Sequence, residues 1–483
     1  MIINLLASWI PALGIAFMGV LKLTGNPRIA KELSKLGVGR YLRVLGVMEI
    51  AFAALFVLPV FFTAVGLAQA PTTPTKKAVT SKEMGTSSHG GGHLYMQTNE
   101  TRNSVVHYRR SANGTITEVE RIPTGGAGSG VFRPIYEANG PNAFEGAGSV
   151  ILTSDRRFLF TTNGGDNSVS SFSVGKDGRL TLLDVKPTGN AVKGKSGTAK
   201  SLAYCASNRT LYVLHSFGPD HVRLMSVNGE GKLTPRPERY SVNTQDKTDR
   251  VSTMAVLSPD QKFLLVDINF DERPSTNPDG TLKVALANER DPDGLVVFPV
   301  GADGTLDAPS FHDAGGAAPF YIAFLHGRPN TFINGIAAGN GVVMSNIDAD
   351  GRIGISPLVP IGTSAGKPSE LCWLAISPDD QSVFATNFGY SSLSSYHING
   401  TTVSIAKDPA TAKVPGDGTF KAINGTVSSG PSDNWMTPDG AFLYQIYGNA
   451  SKLVGYSTRP DGSLEEITSV KIPYNSPEGL AGF

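Results

Sequence analysis

The chain has 483 residues, of which 40% are hydrophobic and 17% are charged, so its composition argues against a collagen-like, disordered or coiled-coil protein. Lys and Arg number 42 against 41 Asp and Glu, which leaves a formal net charge of +1. This balance lacks the basic excess that binding to a phosphate backbone requires. We therefore expect no nucleic-acid partner.

Two apolar stretches, residues 2–23 and 44–68, open the chain, and each is long enough to cross a hydrocarbon core of about 30 Å. The loop between them is rich in Lys and Arg, and the positive-inside rule puts such a loop in the cytoplasm. Ala68-Gln69-Ala70 has the small-x-small pattern of a signal-peptidase site. We predict two N-terminal hydrophobic helices in residues 1–70. The remainder of the chain is expected to be periplasmic or extracellular, and anchored to the membrane through residues 2–68 if cleavage does not occur.

Residues 16–58 contain GVLKLTGNP followed by ELSKLGVGRYLRVLGVMEI, with an acid inside the second apolar stretch. This segment resembles the DoxX family of small membrane proteins, whose fold is a four-helix bundle. Glu49 is the one acid within the predicted spans, and an intramembrane carboxylate is a candidate functional group. The alternative interpretation is a truncated segment that serves as an anchor or signal.

Residues 71–92 are rich in Pro, Thr, Ser and Gly, a composition that predicts a flexible linker. Beyond it, Cys205 and Cys372 lie in apolar, strand-like segments, and we predict two free buried thiols. The sequence contains no Cys and His cluster with the spacing of metal ligands. We therefore expect neither a metal nor a cofactor.

Residues 93–483 repeat a unit of four short β-rich runs separated by turns, in seven copies. SVILTSDRRFLFTTNGGDNSVSSFSVGKDGRLTLLDV is one copy, and CWLAISPDDQSVFATNFGYSSLSSYHINGTTVSI is another. Asn-Gly and Asp-Gly pairs mark tight hairpin turns, and such a repeat is typical of a propeller blade. The first copy lacks its inner run, which the terminal SPEGLAGF matches. The expected fold is all-β, a seven-bladed β-propeller closed by the C-terminal strand, with residues 271–293 and 406–430 as lids or partner contacts.

The repeats include ELCWLAISPDD with VFATNFGYSSLSSYHI, then PSDNWMTPDGAFLYQIY and the terminal PEGLAGF. With these segments, residues 93–483 resemble the seven-bladed propeller lactonase family, which includes 6-phosphogluconolactonase and 3-carboxymuconate cyclase. The resemblance implies chemistry on a lactone. Enzymes of that family carry His and Arg just before inner strands. The matching places here are SGTAKSLAY, with Lys200, and DRVSTMAVLSP, with Arg250, and no His stands at either.

Residues that precede the inner strands are expected to meet at one mouth of the central channel, because the first strand of each blade lines it. Glu370, Asp433 and Glu145 are candidates for a base or a water-positioning carboxylate, and Arg250 and Lys200 for a cation that holds an oxyanion. The only guanidinium of this ring belongs to Arg250, which could hold a carboxylate in bidentate fashion. Alternatively, these charges pair across the channel or solvate its rim.

Two functions from different classes are consistent with these observations. The first is an exported lactone hydrolase or cycloisomerase, and the second is a non-catalytic propeller that binds a ligand or an envelope partner. In either case the expected ligand is a small-molecule lactone or carboxylate. An intracellular phosphorylated sugar lactone would not reach an exported domain, which favours an unphosphorylated sugar lactone or one derived from an aromatic compound. A redox function of the DoxX-like segment ranks third.

Overall fold

The computed structural model describes residues 90–133, 138–139, 147–191, 197–276, 282–283, 292–362, 369–419, 421–422 and 425–483. The chain separates into two units, Met1–Thr86 and Ser87–Phe483, and every described residue belongs to the second. The helices predicted at residues 2–23 and 44–68, with Glu49, lie outside the described residues, as does nearly all of the predicted linker. Among the described residues, no helix combines the length and apolar character needed to span a membrane.

Within these ranges the chain forms 33 strands and one 3-10 turn, Gly448–Ala450. The strands of its first half are β1 Gly92–Gln97, β2 Ser104–Arg110, β3 Ile116–Pro123, β4 Phe132–Arg133, β5 Ala138–Asn139, β6 Val150–Leu152, β7 Phe158–Asn163, β8 Ser168–Val174, β9 Leu180–Pro187, β10 Gly197–Cys205, β11 Thr210–Phe217, β12 Val222–Val227, β13 Leu233–Tyr240, β14 Val251–Leu257, β15 Phe263–Phe270, β16 Ser275–Thr276 and β17 Leu282–Lys283. Those of its second half are β18 Leu295–Pro299, β19 Ser310–His312, β20 Pro319–Phe324, β21 Thr331–Ile336, β22 Gly341–Ile347, β23 Ile353–Ile355, β24 Val359–Pro360, β25 Leu371–Ile376, β26 Ser382–Asn387, β27 Ser392–Asn399, β28 Thr402–Lys407, β29 Pro431–Met436, β30 Phe442–Tyr447, β31 Lys452–Thr458, β32 Leu464–Lys471 and β33 Glu478–Gly482.

Most of these strands form seven antiparallel units, six of four strands and one of five, in the positions that the sequence repeats predict. The first unit has the order β33-β1-β2-β3, and the second has β6-β7-β8-β9. The third unit, β10 to β13, and the fourth, β14-β15-β18-β19, are joined into one sheet through a single pair of residues, Phe217 and Val251. The fifth contains β20 to β24, the sixth β25 to β28 and the seventh β29 to β32. The all-β prediction is therefore confirmed for the described residues.

The first strand of each unit contacts the first strand of the next. In order these inner strands are β33, β6, β10, β14, β20, β25 and β29, and β29 also contacts β33. The last strand, β33, pairs with β1 in antiparallel register, with Leu94 opposite Gly482 and Met96 opposite Leu480. Seven inner strands in mutual contact surround a central channel, which is the architecture of a seven-bladed propeller.

Asp-Gly pairs build the turns between the outer two strands of several units, as the sequence predicts. Gly178, Gly304, Gly351 and Gly462 all adopt φ angles between 79° and 84°, a region that favours glycine because it has no Cβ. At Gly178 a side chain would also collide with the ring of His93, since a Cβ would lie 2.2 Å from its Nδ1. These turns set the register of the strands that they connect.

The hydrophobic core lies between neighbouring sheets and follows the period-two alternation of the strands. Phe160 of the second unit packs in one cluster with Leu211 and Val213 of the third, for example. Cys205 and Cys372 are both buried and free, which confirms the prediction of two unpaired thiols. Burying apolar side chains on both faces of each sheet stabilises the ring and leaves polar groups for the channel and the loops.

Candidate active site

A cavity of about 520 Å³ lies in the central channel of the propeller. Its walls come from the inner strands β6, β10, β14, β20, β29 and β33, and from the turns after the first three of them. Ser154, Ala206 and Gln261 mark where these turns reach the surface, since the first two are exposed and the third is half-buried. The cavity therefore extends from the carboxyl ends of the inner strands toward the middle of the channel.

A β-bulge recurs in the inner strands at the level where the cavity ends. The register shifts between Ala199 and Ser201 in β10, between Ser252 and Met254 in β14, between Pro319 and Tyr321 in β20, and between Pro431 and Asn434 in β29. A bulge bends a strand and changes the direction of its side chains. Met254, Tyr321 and Asp433 lie at or next to these bulges, and all three line the cavity.

Asp433 is the one Asp or Glu among the described residues that line this cavity, and its side chain is almost fully buried. Its Oδ1 accepts a hydrogen bond from its neighbour Asn434 N at 2.9 Å, and its Oδ2 accepts one from Leu480 N of β33 at 3.2 Å. A third backbone donor is Gly148 N, just before β6. The carboxyl is therefore held by backbone groups of three neighbouring units. Burial raises the pKa of Asp433 to about 7, although these three N–H groups favour the ionised form.

Three aromatic residues, Tyr204, Tyr321 and Trp435, line the cavity with Asp433. Burial, and after it the charge of Asp433, raises the pKa of Tyr321 well above its usual range, so its hydroxyl stays protonated and can donate. Trp435 lies two positions after Asp433 on β29 and is half-buried. Its ring stacks on that of Tyr444, with centroids 6.1 Å apart and an interplanar angle of 22°. The cavity thus offers a hydroxyl donor and an apolar wall beside one carboxyl group.

The predicted cation Arg250 is fully buried and belongs to a different set of contacts. Its Nη2 lies 3.1 Å from Asp293 Oδ1 and 3.4 Å from Asp271 Oδ1, and its Nη1 donates to Val242 O at 3.1 Å. Lys247 Nζ lies 2.6 Å from Asp293 and 2.9 Å from Asp271. We call Arg250, Lys247, Asp271 and Asp293 the Arg250 cluster. Because Asp271 and Asp293 stand at the two ends of the predicted lid 271–293, this cluster fastens both ends of that insertion to the fourth unit.

Two buried histidines extend the Arg250 cluster into the third unit. His221 accepts a hydrogen bond from Val242 N at its Nδ1 (3.3 Å), so its Nε2 carries the proton that bonds to Arg250 O (3.0 Å). His215 Nδ1 lies 3.2 Å from His221 O. Burial lowers the pKa of His221 to about 4 and that of His215 to about 3. Both rings are therefore neutral near pH 7, and neither lines the cavity.

The other predicted site residues do not line the cavity in the described part of the chain. Lys200 is buried at the bulge of β10, and its Nζ donates to Ser252 O at 3.4 Å. Glu370 precedes β25 in a left-handed conformation with a φ of 52°, and its carbonyl accepts from the Cys372 thiol. Glu145 lies outside the described residues. Of the five predicted residues, Asp433 is the one that the structure places among the described residues that line the cavity. The ionic partners of Arg250 are Asp271 and Asp293.

Sequence reasoning did not identify Met254, Trp435 and Gln261 as cavity residues. The available signal is the two-residue period of a strand: once Asp433 is assigned to the channel, position 435 lies on the same face.

A carboxyl group with a pKa near 7 can exchange a proton in both directions at neutral pH, which is the property needed for general acid and base catalysis. No group of three or more His, Cys, Asp or Glu side chains suited to a metal ion occurs within the described part of the chain.

Comparison with known proteins gives one family match. The model of the family described as lactonase, 7-bladed beta-propeller, matches residues 85–243, about a third of the chain. The matched region begins just before β1 and ends after β13, so it contains the first unit without β33 and the whole of the second and third units. This match supports a relationship with the lactonase propeller family. No curated protein matches the chain.

Solved structures with a similar fold include several bacterial propellers. A putative 6-phosphogluconolactonase from Bacteroides fragilis is 15% identical, with a TM-score of 0.57, over 83% of this chain and 99% of its own. The periplasmic gluconolactonase of Pseudomonas aeruginosa is 15% identical, with a TM-score of 0.56, over 81% of this chain and 99% of its own. At this level of identity these similarities establish the fold alone.

Proposed function

We propose that the propeller of residues 93–483 acts on a small-molecule lactone in the central cavity, as a lactone hydrolase or a cycloisomerase, with Asp433 as its general acid and base. The observation that carries this proposal is the buried Asp433 carboxyl, whose pKa lies near 7 at the end of a cavity of about 520 Å³. The family match and the names of the structural neighbours support the choice of a lactone.

In the hydrolytic direction, ionised Asp433 takes a proton from a water molecule as the water oxygen attacks the lactone carbonyl carbon. The Tyr321 hydroxyl, which lines the same cavity, donates to the carbonyl oxygen as negative charge develops there. The bond between the acyl carbon and the ring oxygen then breaks, and protonated Asp433 returns the proton to that ring oxygen. The product is the hydroxy acid, and Asp433 ends in its starting form.

Hydrolysis of a panel of lactones by the full-length protein tests this proposal, with acid release as the measurement. The panel contains a sugar lactone, an aromatic lactone and a simple aliphatic lactone. We expect at least one to open faster than its spontaneous rate, and Asp433→Asn to lower that turnover by about 100-fold. Asp350→Asn, in an exposed turn that does not line the cavity, is the matched control. Equal rates with and without protein for every lactone would contradict the proposal.

A second candidate function, a ligand-binding propeller without catalysis, is favoured by two observations. The two cations expected to hold an oxyanion have other partners, since Arg250 pairs with Asp271 and Asp293 and Lys200 donates to a backbone carbonyl. The three N–H donors around Asp433 would also suit a structural role, in which its carboxylate links neighbouring units of the propeller and takes no part in catalysis. Saturable lactone binding without turnover would favour this alternative.

The location and the closure of the domain belong to the same proposal. The basic loop between residues 23 and 44 and the Ala68-Gln69-Ala70 pattern support export of the propeller, either cleaved or anchored through the DoxX-like segment. The pairing of β33 with β1 supports a ring closed by the C-terminal strand. An alkaline phosphatase reporter fused after Ala70 tests export, because it is active only outside the cytoplasm. Export of the propeller would be contradicted if that fusion were inactive while a cytoplasmic reporter fused at the same site was active.

A further inference from the structure

Five residues occupy the same position in five inner strands and line the cavity together. They are Ile151, Ala203, Val256, Trp435 and Ala481, which we call the apolar collar. Their equivalence comes from the strand register, because they lie opposite Phe160, Tyr212, Leu265, Tyr444 and Tyr95 on the second strands of their units. Each lies within two residues of the last residue of its inner strand that pairs with the neighbouring strand of the same unit. A ligand that enters from the turns at Ser154, Ala206 and Gln261 therefore meets this collar before Asp433.

The described side chains that line the cavity offer no positive charge to an anion. Among the described residues that line it there is one carboxyl group, Asp433, and there is no Lys, Arg or His. The two cations that the sequence predicts for the site, Arg250 and Lys200, bond to carboxylates and to a carbonyl of the protein itself. An anion in the cavity would lose its hydration without gaining an opposite charge, and it would face the charge of Asp433 whenever that group is ionised.

The largest member of the apolar collar has a fixed orientation. The Trp435 indole packs on Tyr444, and a Cβ added to Gly482 would lie 2.8 Å from its Cζ2, so the β33 backbone passes close to the ring. The collar member next to it in space is small, because Ala481 stands on the neighbouring β33. A rigid aromatic wall beside a small side chain leaves room for a flat or extended apolar group.

We propose, on the basis of the function proposed above, that the cavity selects an uncharged lactone with an apolar ring or chain, and that it rejects phosphorylated and carboxylated lactones. The apolar part of the ligand packs against Trp435 and the collar, and the lactone carbonyl reaches Asp433 and Tyr321. The selection is thus made by desolvation in the collar, before the ligand reaches the reacting group.

The test compares 3,4-dihydrocoumarin, an uncharged aromatic lactone, with glucono-δ-lactone and 6-phosphoglucono-δ-lactone on the full-length protein. We expect kcat/KM to be greatest for 3,4-dihydrocoumarin and lowest for the phosphorylated lactone. The expected ratio between these two compounds is about 100-fold or more, which corresponds to about 2.7 kcal/mol. A kcat/KM for the phosphorylated lactone that equals or exceeds that of 3,4-dihydrocoumarin would overturn the proposal.

A charge introduced into the apolar collar provides the second arm. Val256→Lys is expected to reduce the preference for the uncharged lactone by about tenfold, because it supplies the missing counter-charge, whereas Val256→Met, of similar length, should leave the ratio unchanged. Equal ratios in both variants would contradict the role of the collar. Circular dichroism shows whether each variant folds, and Ile151→Lys with Ile151→Met serves as the alternative pair if the first does not.

Binding measurements test the selectivity of the cavity separately from the proposed catalytic function. If no lactone is hydrolysed, the proposed function fails, and calorimetric titration with the same three compounds decides the inference alone. Saturable binding of 3,4-dihydrocoumarin that weakens in Trp435→Ala, without binding of the phosphorylated lactone, would support the selection. No binding of 3,4-dihydrocoumarin, or tighter binding of the phosphorylated compound, would overturn it.

Discussion

The Asp433 carboxyl and the Arg250 guanidinium are both buried in the same propeller, but their surroundings differ. Arg250 meets two carboxylates, a second cation and two backbone carbonyls, so the four side chains of its cluster have no net charge. Asp433 meets three neutral N–H groups and a cavity. A buried charge with a full set of partners holds elements together, whereas one that lacks an opposite charge remains able to exchange a proton.

Burial also acts differently on the two regions. At Asp433 burial favours the neutral acid and brings its pKa to about 7, within the range where catalysis occurs. Next to Arg250, burial keeps His221 and His215 neutral by lowering their pKa values to about 4 and about 3. The same physical cause therefore creates a titrating group in the cavity and removes two from the neighbourhood of the Arg250 cluster.

The largest effect is expected from Arg250→Ala. This change removes a buried guanidinium, leaves Asp271 and Asp293 with Lys247 as their remaining cation in the cluster, and should lower the free energy of unfolding by about 3 kcal/mol. Urea unfolding measures it, and Lys262→Ala, which breaks an exposed pair with Asp260, is the matched control with an effect of less than about 1 kcal/mol. If Arg250→Ala remained as stable as wild type and lost lactone turnover specifically, Arg250 would belong to the site after all.

Next in size is the effect of pH on turnover. If Asp433 is the base, kcat/KM should rise with pH through about 7, because the ionised form of the free enzyme takes the proton from water. Asp433→Asn should lower kcat/KM by about 100-fold and remove this inflection. The measurement is the initial rate of lactone opening, corrected for spontaneous hydrolysis at each pH. An inflection retained in Asp433→Asn would assign it to another group.

Acid should weaken the Arg250 region. His221 has a pKa of about 4 in the folded protein and about 6.5 in the unfolded chain, so between these values the unfolded state binds more protons and stability falls as pH decreases. The expected slope is about 1.4 kcal/mol per pH unit for this group. His221→Gln should reduce the slope of the unfolding free energy against pH by about that amount. An unchanged slope would mean that another group dominates acid unfolding.

Asp433 should show the opposite dependence. Its folded pKa of about 7 lies above the unfolded value near 4, so the folded state binds more protons between them and stability falls as pH rises through this range. The unfolding free energy of Asp433→Asn minus that of wild type should therefore be more positive at pH 8 than at pH 5. Thermal unfolding at the two pH values measures the difference. The same sign for Asp433→Asn and His221→Gln would contradict the contrast between the two regions.

The strand pattern can be predicted from the sequence because it depends on local signals. Asp-Gly pairs at positions such as Gly178 and Gly462 require the left-handed backbone that the structure has there, and the apolar runs between such turns form strands such as β11 and β15, which are buried along their whole length. The seven repeats reinforce one another, so a weak signal in one unit is compensated by the same signal in the next. The repeats locate the inner strands, and Asp433 is assigned to the channel because it is expected just before one of them; the structure places it within that strand, β29.

The role of Arg250 could not be predicted, because its partners depend on long-range contacts. Asp271 and Asp293 flank an insertion, and nothing local indicates that both ends return to the same guanidinium. Lys200 stands at a bulge, and an extra residue in a strand reverses which side chains face the channel. A sequence pattern predicts which residues lie near the inner strands, but the register decides which of them reach the ligand.

The pairing of β33 with β1 also has a consequence for biosynthesis. A ribosome releases β1 long before β33, so during synthesis the β1 edge with Leu94 and Met96 lacks the strand that later covers it. The same late strand carries the Leu480 N–H that holds Asp433. A nascent or truncated chain that stops before residue 478 therefore has both an uncovered edge, which chaperones or proteases can recognise, and an unfinished cavity. Quality control of the fold and assembly of the candidate site depend on the same five residues.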